Sequence, residues 1–505
     1  MSNVASHPVL SCAEAKAWES TLLRDEAAEW AAMQRAGAAI AKGILADFRE
    51  LGGLPENARL LVLVGKGHNG GDALLATKSL LAARRKAKAE ILLVFGETGL
   101  RPLTSQSLEE LRISADGRVR EVDLATLKRE LAHVDVCLDG VFGFQFRPPL
   151  DDSTAEAIAW VNTHPRISFR ASVDLPSGMG EANGKTVFRA DFTYATGVVK
   201  SPVVAATNAA LVGRVRYLDL GFFAGEDNQR KTQQTVLLAA VLRPLAQLRP
   251  TQSDKRTYGH LLVVGGSRNY PGAVLMTVKA ALRSGVGLLT AFVPASLVPE
   301  YAAKFPEAMW IGWPETAHGG LSVAGALSLL EHLPRATALL IGPGLGAAPE
   351  TLAAVQAIVR GTTFPLLLDA DALQPEIMAA VGDRPLIVTP HAGEFARIAS
   401  VLAPAAVLVR KGAPTSVETG GRAAYSFFGG PVLARGGSGD LLAGLVGGLM
   451  AQAPDDLWLA AARGVVWHGL AADLLARDKG QVAVQTTQLL EFLQPALHGA
   501  EHDTT

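Results

Sequence analysis

The same order of elements occurs twice in this chain: an apolar run of strand length, a glycine-rich turn, and a stretch with helical spacing. The first copy begins with ARLLVLVGKGHNGGD (58–72) and the second with GHLLVVGGSRNYPGA (259–273). Further apolar runs follow each copy, and those of the second end in Gly, Pro, Asp or His. Strands that alternate with helices indicate a parallel sheet with helices on both faces. The sequence therefore predicts an α/β fold made of two three-layer αβα domains.

The stretch from 226 to 257 separates the two copies. It is polar at both ends, has a helical middle, and contains no run typical of a strand. A chain of 505 residues is also too long for one ordinary hydrophobic core. We therefore expect a first domain over 1–225, a connector over 226–257 and a second domain over 258–505.

Charge and cysteine content exclude several classes of protein. The 47 basic and 48 acidic side chains give a net charge of −1, so no nucleic-acid or anionic-membrane surface is expected. The two cysteines encode neither a disulfide framework nor a zinc cluster, and Cys137 lies in an apolar run typical of a core. The N-terminus lacks the order of a signal peptide, and no apolar run reaches the roughly 18 residues that span a bilayer. We expect a cytoplasmic, soluble protein.

The stretch ARGGSGDLLAG (434–444) places small residues ahead of an acid and an apolar, helix-like run. A glycine turn at a helix N-terminus presents backbone N–H groups that favour an anion such as phosphate. Asp440 either starts the helix as an N-cap or first-turn acid, or is a general base that takes a proton from an attacking hydroxyl. Both readings stay open on this motif alone.

Other polar residues of the second half also follow predicted strands. In open α/β sheets the carboxyl ends of the strands are where ligands bind. Each residue also has a structural alternative: a solvated lysine, a helix-start histidine, or aspartates that cap a turn. Mg²⁺ bound through the acids or carried by a nucleotide is a further alternative. These residues are Gly342–Gly346, Asp369 and Asp371 (which share a face if their strand continues), His391, Glu394 in the first turn of the next helix, and Lys411.

Seven stretches of the second half, over roughly 250–495, occur in an order that resembles the ribokinase-like ADP-dependent NAD(P)H-hydrate dehydratases. They are GHLLVVGGSRNYPGAVLMTVKAALRSGVGLLTAFVP, FPEAM, GPGLG, DADAL, TPHAGEFAR, KGAPT and GGSGDLLAG. The resemblance implies a ribokinase-like domain in which Asp440 is the catalytic base. The hydroxyl of the hydrated nicotinamide ring is phosphorylated by ADP, with ATP as the alternative donor. Loss of phosphate then restores NAD(P)H, and AMP is released.

The same resemblance assigns binding residues in two groups. Those implied for the hydrate are Gly344, His391, Ala392, Gly393, Glu394, Arg397 and Asp440. Those implied for the nucleotide, with its Mg²⁺, are Lys411, Gly412, Ala413, Pro414, Thr415, Gly436, Gly437, Ser438 and Gly439.

The first half contains GKGHNGGD (65–72), a glycine loop that is weak evidence alone. It does not have the dinucleotide-binding spacing G-x-G-x-x-G, and a plain strand–helix turn with Asp72 in the first helical turn is the alternative. With CLDGVFGFQFRPPL, SVDLPSG and YLDLGF, however, it resembles the NAD(P)H-hydrate epimerases, which form the first half of bifunctional repair proteins. A Rossmann-like domain is implied.

This second resemblance implies a potassium ion and a catalytic acid/base. The implied potassium ligands are Asn69, Asp139 and Ser177, whose oxygens suit a hard cation. Asp174 is the implied catalytic residue. The implied contacts of the epimerase substrate are His68, Asn69, Gly70, Gly71, Asp72, Gly143 and Asp174.

Several residues depart from the family patterns. His68 stands where the epimerases usually have asparagine, Ala73 where they have glycine, and Phe144–Gln145 where a smaller turn is common. We expect these changes to lie in the substrate cleft and to reduce or alter epimerase activity. In the second half, Arg435 replaces a usual threonine and removes no chemical group assigned above.

The resulting hypothesis is a two-domain enzyme that repairs hydrated NADH and NADPH. The first domain equilibrates the R and S epimers, and the second dehydrates the S form. Partners are these small molecules and ADP, with no nucleic acid or membrane, in a homo-oligomer. The rival hypothesis is a ribokinase-like small-alcohol kinase whose first half is a non-catalytic binding or oligomerisation module.

Overall fold

The computed structural model divides the chain into two compact units. The N-terminal unit comprises His7–Gln234 with Ala476–Gly480, and the C-terminal unit comprises Met1–Ser6, Thr235–Leu475 and Gln481–Thr505. The structure describes residues 4–224, 232–326, 329 and 333–502.

Strands and helices alternate along the first half of the chain, as predicted. The strands are β1 (Ser6–Leu10), β2 (Arg59–Val64), β3 (Lys88–Leu93), β4 (Val119–Glu121), β5 (Val136–Gly140), β6 (Arg170–Val173), β7 (Phe192–Thr196), β8 (Val199–Lys200) and β9 (Arg214–Leu218). The helices are α1 (Cys12–Leu22), α2 (Glu26–Asp47), α3 (His68–Ala83), α4 (Pro102–Ala115), α5 (Leu124–Glu130), α6 (Asp152–Thr163) and α7 (Ala209–Val212).

The main sheet of the N-terminal unit is parallel, in the order β4-β3-β2-β5-β6-β7-β9. Successive side chains of a strand point to opposite faces. Accordingly Leu60, Val62 and Val64 join a core cluster with α2, α3 and α4, whereas Leu61 and Leu63 join a second cluster with α5 and α6. The unit therefore has three layers, and Cys137 is fully buried in the second cluster.

The second half of the chain repeats this alternation and adds two strands near its end. The strands are β10 (Gln234–Leu237), β11 (His260–Val264), β12 (Leu288–Pro294), β13 (Met309–Trp313), β14 (Ala338–Ile341), β15 (Leu366–Leu368), β16 (Leu386–Val388), β17 (Val407–Arg410), β18 (Thr415–Thr419) and β19 (Arg422–Ser426). The helices are α8 (Pro271–Arg283), α9 (Val298–Lys304), α10 (Pro349–Gly361), α11 (Pro375–Val381), α12 (Ala392–Ile398), α13 (Ser438–Gln452), α14 (Leu457–Lys479) and α15 (Leu493–His502).

Parallel pairing in the C-terminal unit runs β13-β12-β11-β14-β15-β16-β17, and β18 and β19 continue it as an antiparallel hairpin. One face packs against α10, α11 and α12. On the other face α13 lies so close that a Cβ added to Gly447 would be 2.7 Å from Leu340 Cδ1. The predicted α/β class with parallel sheets is confirmed.

The stretch 226–257 differs in part from its prediction. Residues 225–231 lie outside the described residues. The expectation that the stretch contains no strand is wrong, because Gln234–Leu237 forms β10. The helical middle is a short 3-10 helix, Ala239–Leu245. Val236 of β10 and Val241 of the 3-10 helix are both buried, so hydrophobic burial anchors this segment.

Among the described residues, no helix combines the length and the apolar character needed to cross a bilayer.

The close packing of α2 on α3 depends on Gly37. A Cβ added there would lie 2.5 Å from Leu75 Cβ, a separation that the two helices can accommodate only by moving apart. We expect Gly37→Val to lower the free energy of unfolding of the N-terminal unit by about 1–3 kcal/mol. Denaturant titration followed by circular dichroism measures this. The matched control is Ala38→Val, one residue further on the exposed side of α2. Equal midpoints for the two variants would contradict the proposed close packing.

Candidate active sites

In the C-terminal unit, adjacent parallel strands bring four polar side chains to one edge of the sheet. Asp369 follows β15, Thr389 follows β16, and Lys411 follows β17. The Lys411 ammonium lies 3.0 Å from Asp369 Oδ1, which also accepts a 2.7 Å hydrogen bond from the Thr389 hydroxyl. Glu394 Oε2 is 3.7 Å from the same ammonium. Lys411 is therefore an ion-paired, largely buried lysine rather than a solvated one.

Asp371 does not share a face with Asp369, because β15 ends at Leu368. The chain turns at Ala370, whose φ is +50°, into a short 3-10 helix. The Asp371 carboxylate instead accepts a 2.9 Å hydrogen bond from the Gly346 N–H and so fixes the end of the 342–346 loop. The expectation of a shared face is wrong because it required the strand to continue.

The glycine motif forms the N-terminus of α13. Its N-cap, Gly437, has φ +89° and makes no side-chain capping bond, so the first N–H groups of the helix have no partner from a capping side chain. The positive φ favours glycine at this position, and a Cβ there would lie 2.5 Å from Met276 Sδ. A Cβ added to Gly439 would lie 3.3 Å from Lys411 Nζ. A helix N-terminus and an ammonium therefore converge, and both favour an anion.

Asp440 stands in the first turn of α13 beside this positive region. Burial raises the pKa of its carboxyl to about 6; the negative charge of Asp369 adds to the rise, and the Lys411 ammonium opposes it. A carboxyl with this pKa is mostly ionised at neutral pH and accepts a proton more readily than an ordinary aspartate. These properties suit a general base.

His391 and Glu394 cap α12 reciprocally. His391 Nδ1 accepts hydrogen bonds from the Gly393 and Glu394 backbone N–H groups, and Glu394 Oε2 accepts one from the His391 N–H. The helix-start role of His391 is therefore present, and its ring is still 62% exposed. Ala392 and Arg397 lie on the exposed side of α12.

The remaining predicted hydrate and nucleotide residues lie in loops at the same edge. Gly344 is buried with φ +71°, and a Cβ there would be 2.5 Å from the Tyr270 carbonyl. Gly412 and Ala413 are exposed, and the Thr415 hydroxyl donates to the Gly412 carbonyl over 3.1 Å. Arg435 points away from this chemistry, since its guanidinium donates to the carbonyls of Gln481, Val482 and Val484. Its substitution for threonine fastens the loop to the 481–484 segment.

The N-terminal unit contains a cavity of about 330 Å³ at the ends of β2, β5, β6 and β7. Predicted residues that line it are His68, Asn69, Asp72, Gly143, Gln145 and Asp174; further lining residues are Glu19, Lys66, Phe142, Phe144, Phe146 and Lys200. Gly143 separates two of the polar groups: a Cβ there would lie 3.1 Å from Asn69 Oδ1 and 3.2 Å from Asp174 Oδ2.

Asp174 has the positive φ of 64°, a backbone conformation that is uncommon outside glycine and concentrates at functional sites. Its Oδ1 lies 2.6 Å from the Lys200 ammonium. Lys200 is only 1% exposed, and it also lies 3.5 Å from Glu19 Oε1. The cavity therefore contains a buried ion pair at its base.

Asp139 and Ser177 form a second buried cluster next to the cavity loop. Asp139 accepts hydrogen bonds from the Ser177 N–H (2.7 Å) and hydroxyl (2.6 Å), and Ser177 Oγ accepts one from the Phe142 N–H. Burial raises the pKa of Asp139 to about 6, while the Ser177 hydrogen bonds lower it. Asn69 lies beside the 141–143 loop, which this cluster also contacts. The buried Nδ2 of Asn69 has no hydrogen-bond partner among the described residues.

Asp72 is not a first-turn acid, because α3 begins at His68 and Asp72 is its fifth residue. The side chain is buried, and its Oδ1 has no hydrogen-bond partner in the described part of the chain. Burial, with the charges of Asp174 and Glu19, raises the pKa of Asp72 well above its usual range. The plain-turn alternative does not explain such a carboxyl.

The family departures fall into two groups. His68 and Gln145 line the cavity, and His68 Nε2 is 3.4 Å from Glu29 Oε2. Ala73 is fully buried in the core instead, and a Cβ added to Gly140 would lie 2.5 Å from its methyl group. The expectation that Ala73 lies in the cleft is therefore wrong, because its position on α3 faces β5.

Three residues at these sites were missed from sequence. Glu19 and Lys200 meet Asp174, but neither lies in a recognisable motif, and their pairing depends on long-range folding. In the C-terminal unit the missed residue is His468 of α14, next to the Ser438 backbone. Burial lowers its pKa to about 4, so it is neutral. A lysine at the end of an apolar run, as in YATGVVKS, is the one signal that was available.

Two family models match the chain. Residues 261–495 match the NAD(P)H-hydrate dehydratase family, and residues 30–201 match the YjeF-related protein N-terminus. The bifunctional NAD(P)H-hydrate repair enzyme of Gloeobacter violaceus is 34% identical, over 98% of this chain and 99% of its own length. That of Moorella thermoacetica is 32% identical, over 93% of each chain.

The chain belongs to the bifunctional NAD(P)H-hydrate repair enzymes. The predicted family and enzyme class are thus confirmed. A solved structure with partial similarity is the ADP/ATP-dependent NAD(P)H-hydrate dehydratase of Bacillus subtilis, crystallised with ATP and Mg²⁺. It is 27% identical, covers 51% of this chain and 96% of its own, and has a TM-score of 0.42.

Proposed function

We propose that residues 258–505 dehydrate the S epimer of hydrated NADH and NADPH at the expense of ADP, and that residues 1–225 interconvert the R and S epimers. The observation that carries the dehydratase assignment is Asp440. Its carboxyl has a pKa raised to about 6 and lies in the first turn of α13, beside the Lys411 ammonium. The N-terminal assignment is supported by Asp174 in the cavity of that unit.

In the proposed dehydration, Asp440 accepts the proton of the ring hydroxyl while the hydroxyl oxygen attacks the terminal phosphorus of ADP. The bond from phosphorus to the AMP oxygen breaks, and AMP leaves. The N-terminus of α13 and the Lys411 ammonium stabilise the negative charge of the transferring phosphoryl group. Hydroxide is a poor leaving group, whereas phosphate departs readily. Its loss, with a proton from the neighbouring ring carbon, restores the double bond.

Mg²⁺ would arrive with the nucleotide, because the acids at this edge already have partners. Asp369 is bound to Lys411 and Thr389, Asp371 to Gly346, and Glu394 to His391. Within the described residues no three His, Cys, Asp or Glu side chains are arranged to hold a metal ion. A magnesium ion usually keeps several waters and binds substrate phosphates with few protein ligands. It would neutralise phosphate charge.

In the proposed epimerisation, Asp174 acts as acid and base at the hydrated carbon. The lone pair of the ring nitrogen expels the hydroxyl, which leaves as water with a proton donated by the Asp174 carboxyl, and the carbon becomes planar. Water that adds to the opposite face gives the other epimer and returns a proton. The aromatic rings of Phe142, Phe144 and Phe146 line the cavity and limit the access of bulk water.

The residues proposed to hold potassium fit such an ion. Asp139 is completely buried, and its hydrogen-bond donors in the described structure are neutral groups of Val141 and Ser177. A buried carboxylate is costly without a cation. Carboxylate, hydroxyl and amide oxygens are the donors a hard monovalent cation prefers, and the ion would stabilise the loop that carries Gly143.

The rival hypothesis, a small-alcohol kinase, predicts a different product. A kinase releases a stable phosphorylated metabolite, whereas a dehydratase releases orthophosphate and the restored reduced cofactor. The fused N-terminal unit favours repair, because its cavity carries the ionised side chains of an active site.

The decisive assay mixes purified protein, a mixture of hydrate epimers and ADP with Mg²⁺. We expect absorbance near 340 nm to return in full, with orthophosphate and AMP formed in equal amounts. Recovery of the S fraction alone would show that the N-terminal unit does not epimerise. No recovery with either ADP or ATP would overturn the proposed function.

Two substitutions assign the activities to their residues. Asp440→Asn keeps the size of the side chain but removes the base, so recovery is expected to stop while nucleotide binding persists. Asp174→Ala is expected to abolish R-to-S conversion and to leave dehydration of the S epimer intact. Each variant is the folding control for the other. Unchanged turnover in either variant contradicts its assignment.

The dehydration rate is expected to fall as the pH is lowered. Because the pKa of Asp440 is raised to about 6, the base is ionised above this value and protonated below it. The rate at pH 5 should be about one tenth of its plateau above pH 7. Orthophosphate release measures it, since NAD(P)H is unstable in acid. A profile that is flat from pH 5 to 7 would exclude Asp440 as the titrating base.

Epimerisation is expected to require potassium. Replacement of KCl by choline chloride at equal ionic strength should remove most of the R-to-S conversion, and added KCl should restore it. Dehydration of the S epimer in the same samples is the internal control. Equal epimerisation rates in the two salts would contradict the proposed ion site.

A further inference from the structure

Lys200 is the most deeply buried cation of the N-terminal cavity, and the mechanism above does not use it. It is 1% exposed at the end of the short strand β8. Its ammonium has three acceptors: Asp174 Oδ1 at 2.6 Å, the Thr196 carbonyl at 3.1 Å and Glu19 Oε1 at 3.5 Å. Three acceptors match the three N–H donors of an ammonium. Lys200 is therefore held in place by three protein acceptors.

The ion pair gives the two oxygens of Asp174 different surroundings. Oδ1 binds the Lys200 ammonium and lies 3.5 Å from the Thr196 hydroxyl. Oδ2 lies 3.4 Å from the Phe144 N–H and 3.2 Å from the Cβ position of Gly143, at the lining of the cavity. Oδ1 is therefore held by Lys200, whereas Oδ2 faces the cavity. Such fixed orientation is what a proton-transferring carboxylate needs.

Phe144 gives this arrangement a cover. Its ring centroid lies 4.8 Å from Lys200 Nζ, within range of a cation–π contact. The aromatic face therefore lies against the ammonium of the ion pair. The phenylalanine that stands where the epimerases usually have a smaller turn thus covers the ion pair.

The charges around Lys200 keep it in its ammonium form. Burial lowers the pKa of Lys200, but the carboxylates of Asp174 and Glu19 outweigh it and raise the pKa overall. Burial raises the pKa of Glu19, against the effect of Lys200. Asp174 Oδ1, at 2.6 Å from the ammonium, is the nearer carboxylate, and Glu19 Oε1, at 3.5 Å, is the more distant one.

We propose that Lys200 is the positioning residue of the epimerase site, which anchors Asp174 Oδ1 so that Oδ2 carries out proton transfer. This inference rests on the proposed epimerase activity. Lys200 acts through Asp174, so its loss should affect the rate of conversion much more than the affinity for the hydrate.

The test is R-to-S conversion by Lys200→Met, which keeps the length of the side chain and removes its charge. We expect kcat to fall on the order of a hundredfold with KM changed little. In the same sample, dehydration of the S epimer should be unchanged. The matched control is Lys78→Met on α3, which removes a surface lysine paired with Glu110 at 2.6 Å and should leave both rates unchanged.

A second variant separates positioning from loss of folding. Lys200→Ala leaves a gap of the size of an alkylamine, and added propylamine should restore kcat in a saturable way, whereas equal concentrations of choline should not. Rescue requires a folded cavity, so a purely structural role for Lys200 would give none.

The outcomes are distinct. A wild-type chain that does not convert R to S removes both the proposed epimerase function and this inference. An active wild type with Lys200→Met within about threefold of its kcat removes the inference alone. A loss in Lys200→Ala that no amine restores also overturns it.

Discussion

At each candidate site, a lysine ammonium has been taken out of water and placed against an aspartate at the end of a parallel strand. Lys411 lies 3.0 Å from Asp369 and Lys200 lies 2.6 Å from Asp174. The loss of hydration is costly for both charges, and breaking either pair would leave one of them buried alone. Each pair therefore favours the arrangement of strand ends in which its two charges meet. The Lys411–Asp369 pair uses the geometry of an open α/β sheet, which brings strand ends from distant parts of the chain to one edge. Lys200 instead lies on β8, outside the main sheet whose strand β6 precedes Asp174.

The two pairs nevertheless perform different tasks. Lys411 faces the N-terminus of α13, where its positive charge adds to that of the helix and an anion would be stabilised. Asp440, the proposed reacting carboxyl, is a separate residue whose pKa rises because it is buried, with the negative charge of Asp369 adding to the rise. In the N-terminal unit the aspartate paired with lysine is itself the proposed reacting group. A phosphoryl transfer needs positive charge at the site of reaction, whereas epimerisation of a hydrated carbon needs only a well-placed acid and base.

Local patterns were sufficient for much of the fold. Apolar runs before glycine loops predicted β2, β11 and their partners, since a fully buried parallel strand is apolar on both faces. The pairing of strands that are distant in sequence could not be predicted from local patterns. For example, β1 pairs with β8 through Val9–Val199 and Leu10–Lys200, which lie 190 residues apart. The roles of Lys200 and Glu19 could not be predicted either, because neither residue belongs to a local motif. The β18–β19 hairpin did carry a signal in Gly420–Gly421, a pair with positive φ at a hairpin turn. Asp371 was misplaced because the length of a strand of three residues cannot be derived from its apolar pattern.

The departures from the family pattern are informative when each is followed to its surroundings. Ala73 replaces a glycine where β5 supplies Gly140, so the added methyl fills space that another glycine provides. Arg435 spends its guanidinium on three backbone carbonyls of the 481–484 segment and leaves the anion-facing N–H groups of α13 untouched. Phe144 lies over the Lys200 ammonium, where an aromatic face is attractive to a cation and excludes water. In each case the change is compensated within its own unit, and the charged groups assigned to chemistry stay in place. Substitutions next to a site alter function when they remove or expose a reacting group, and none of these three does so.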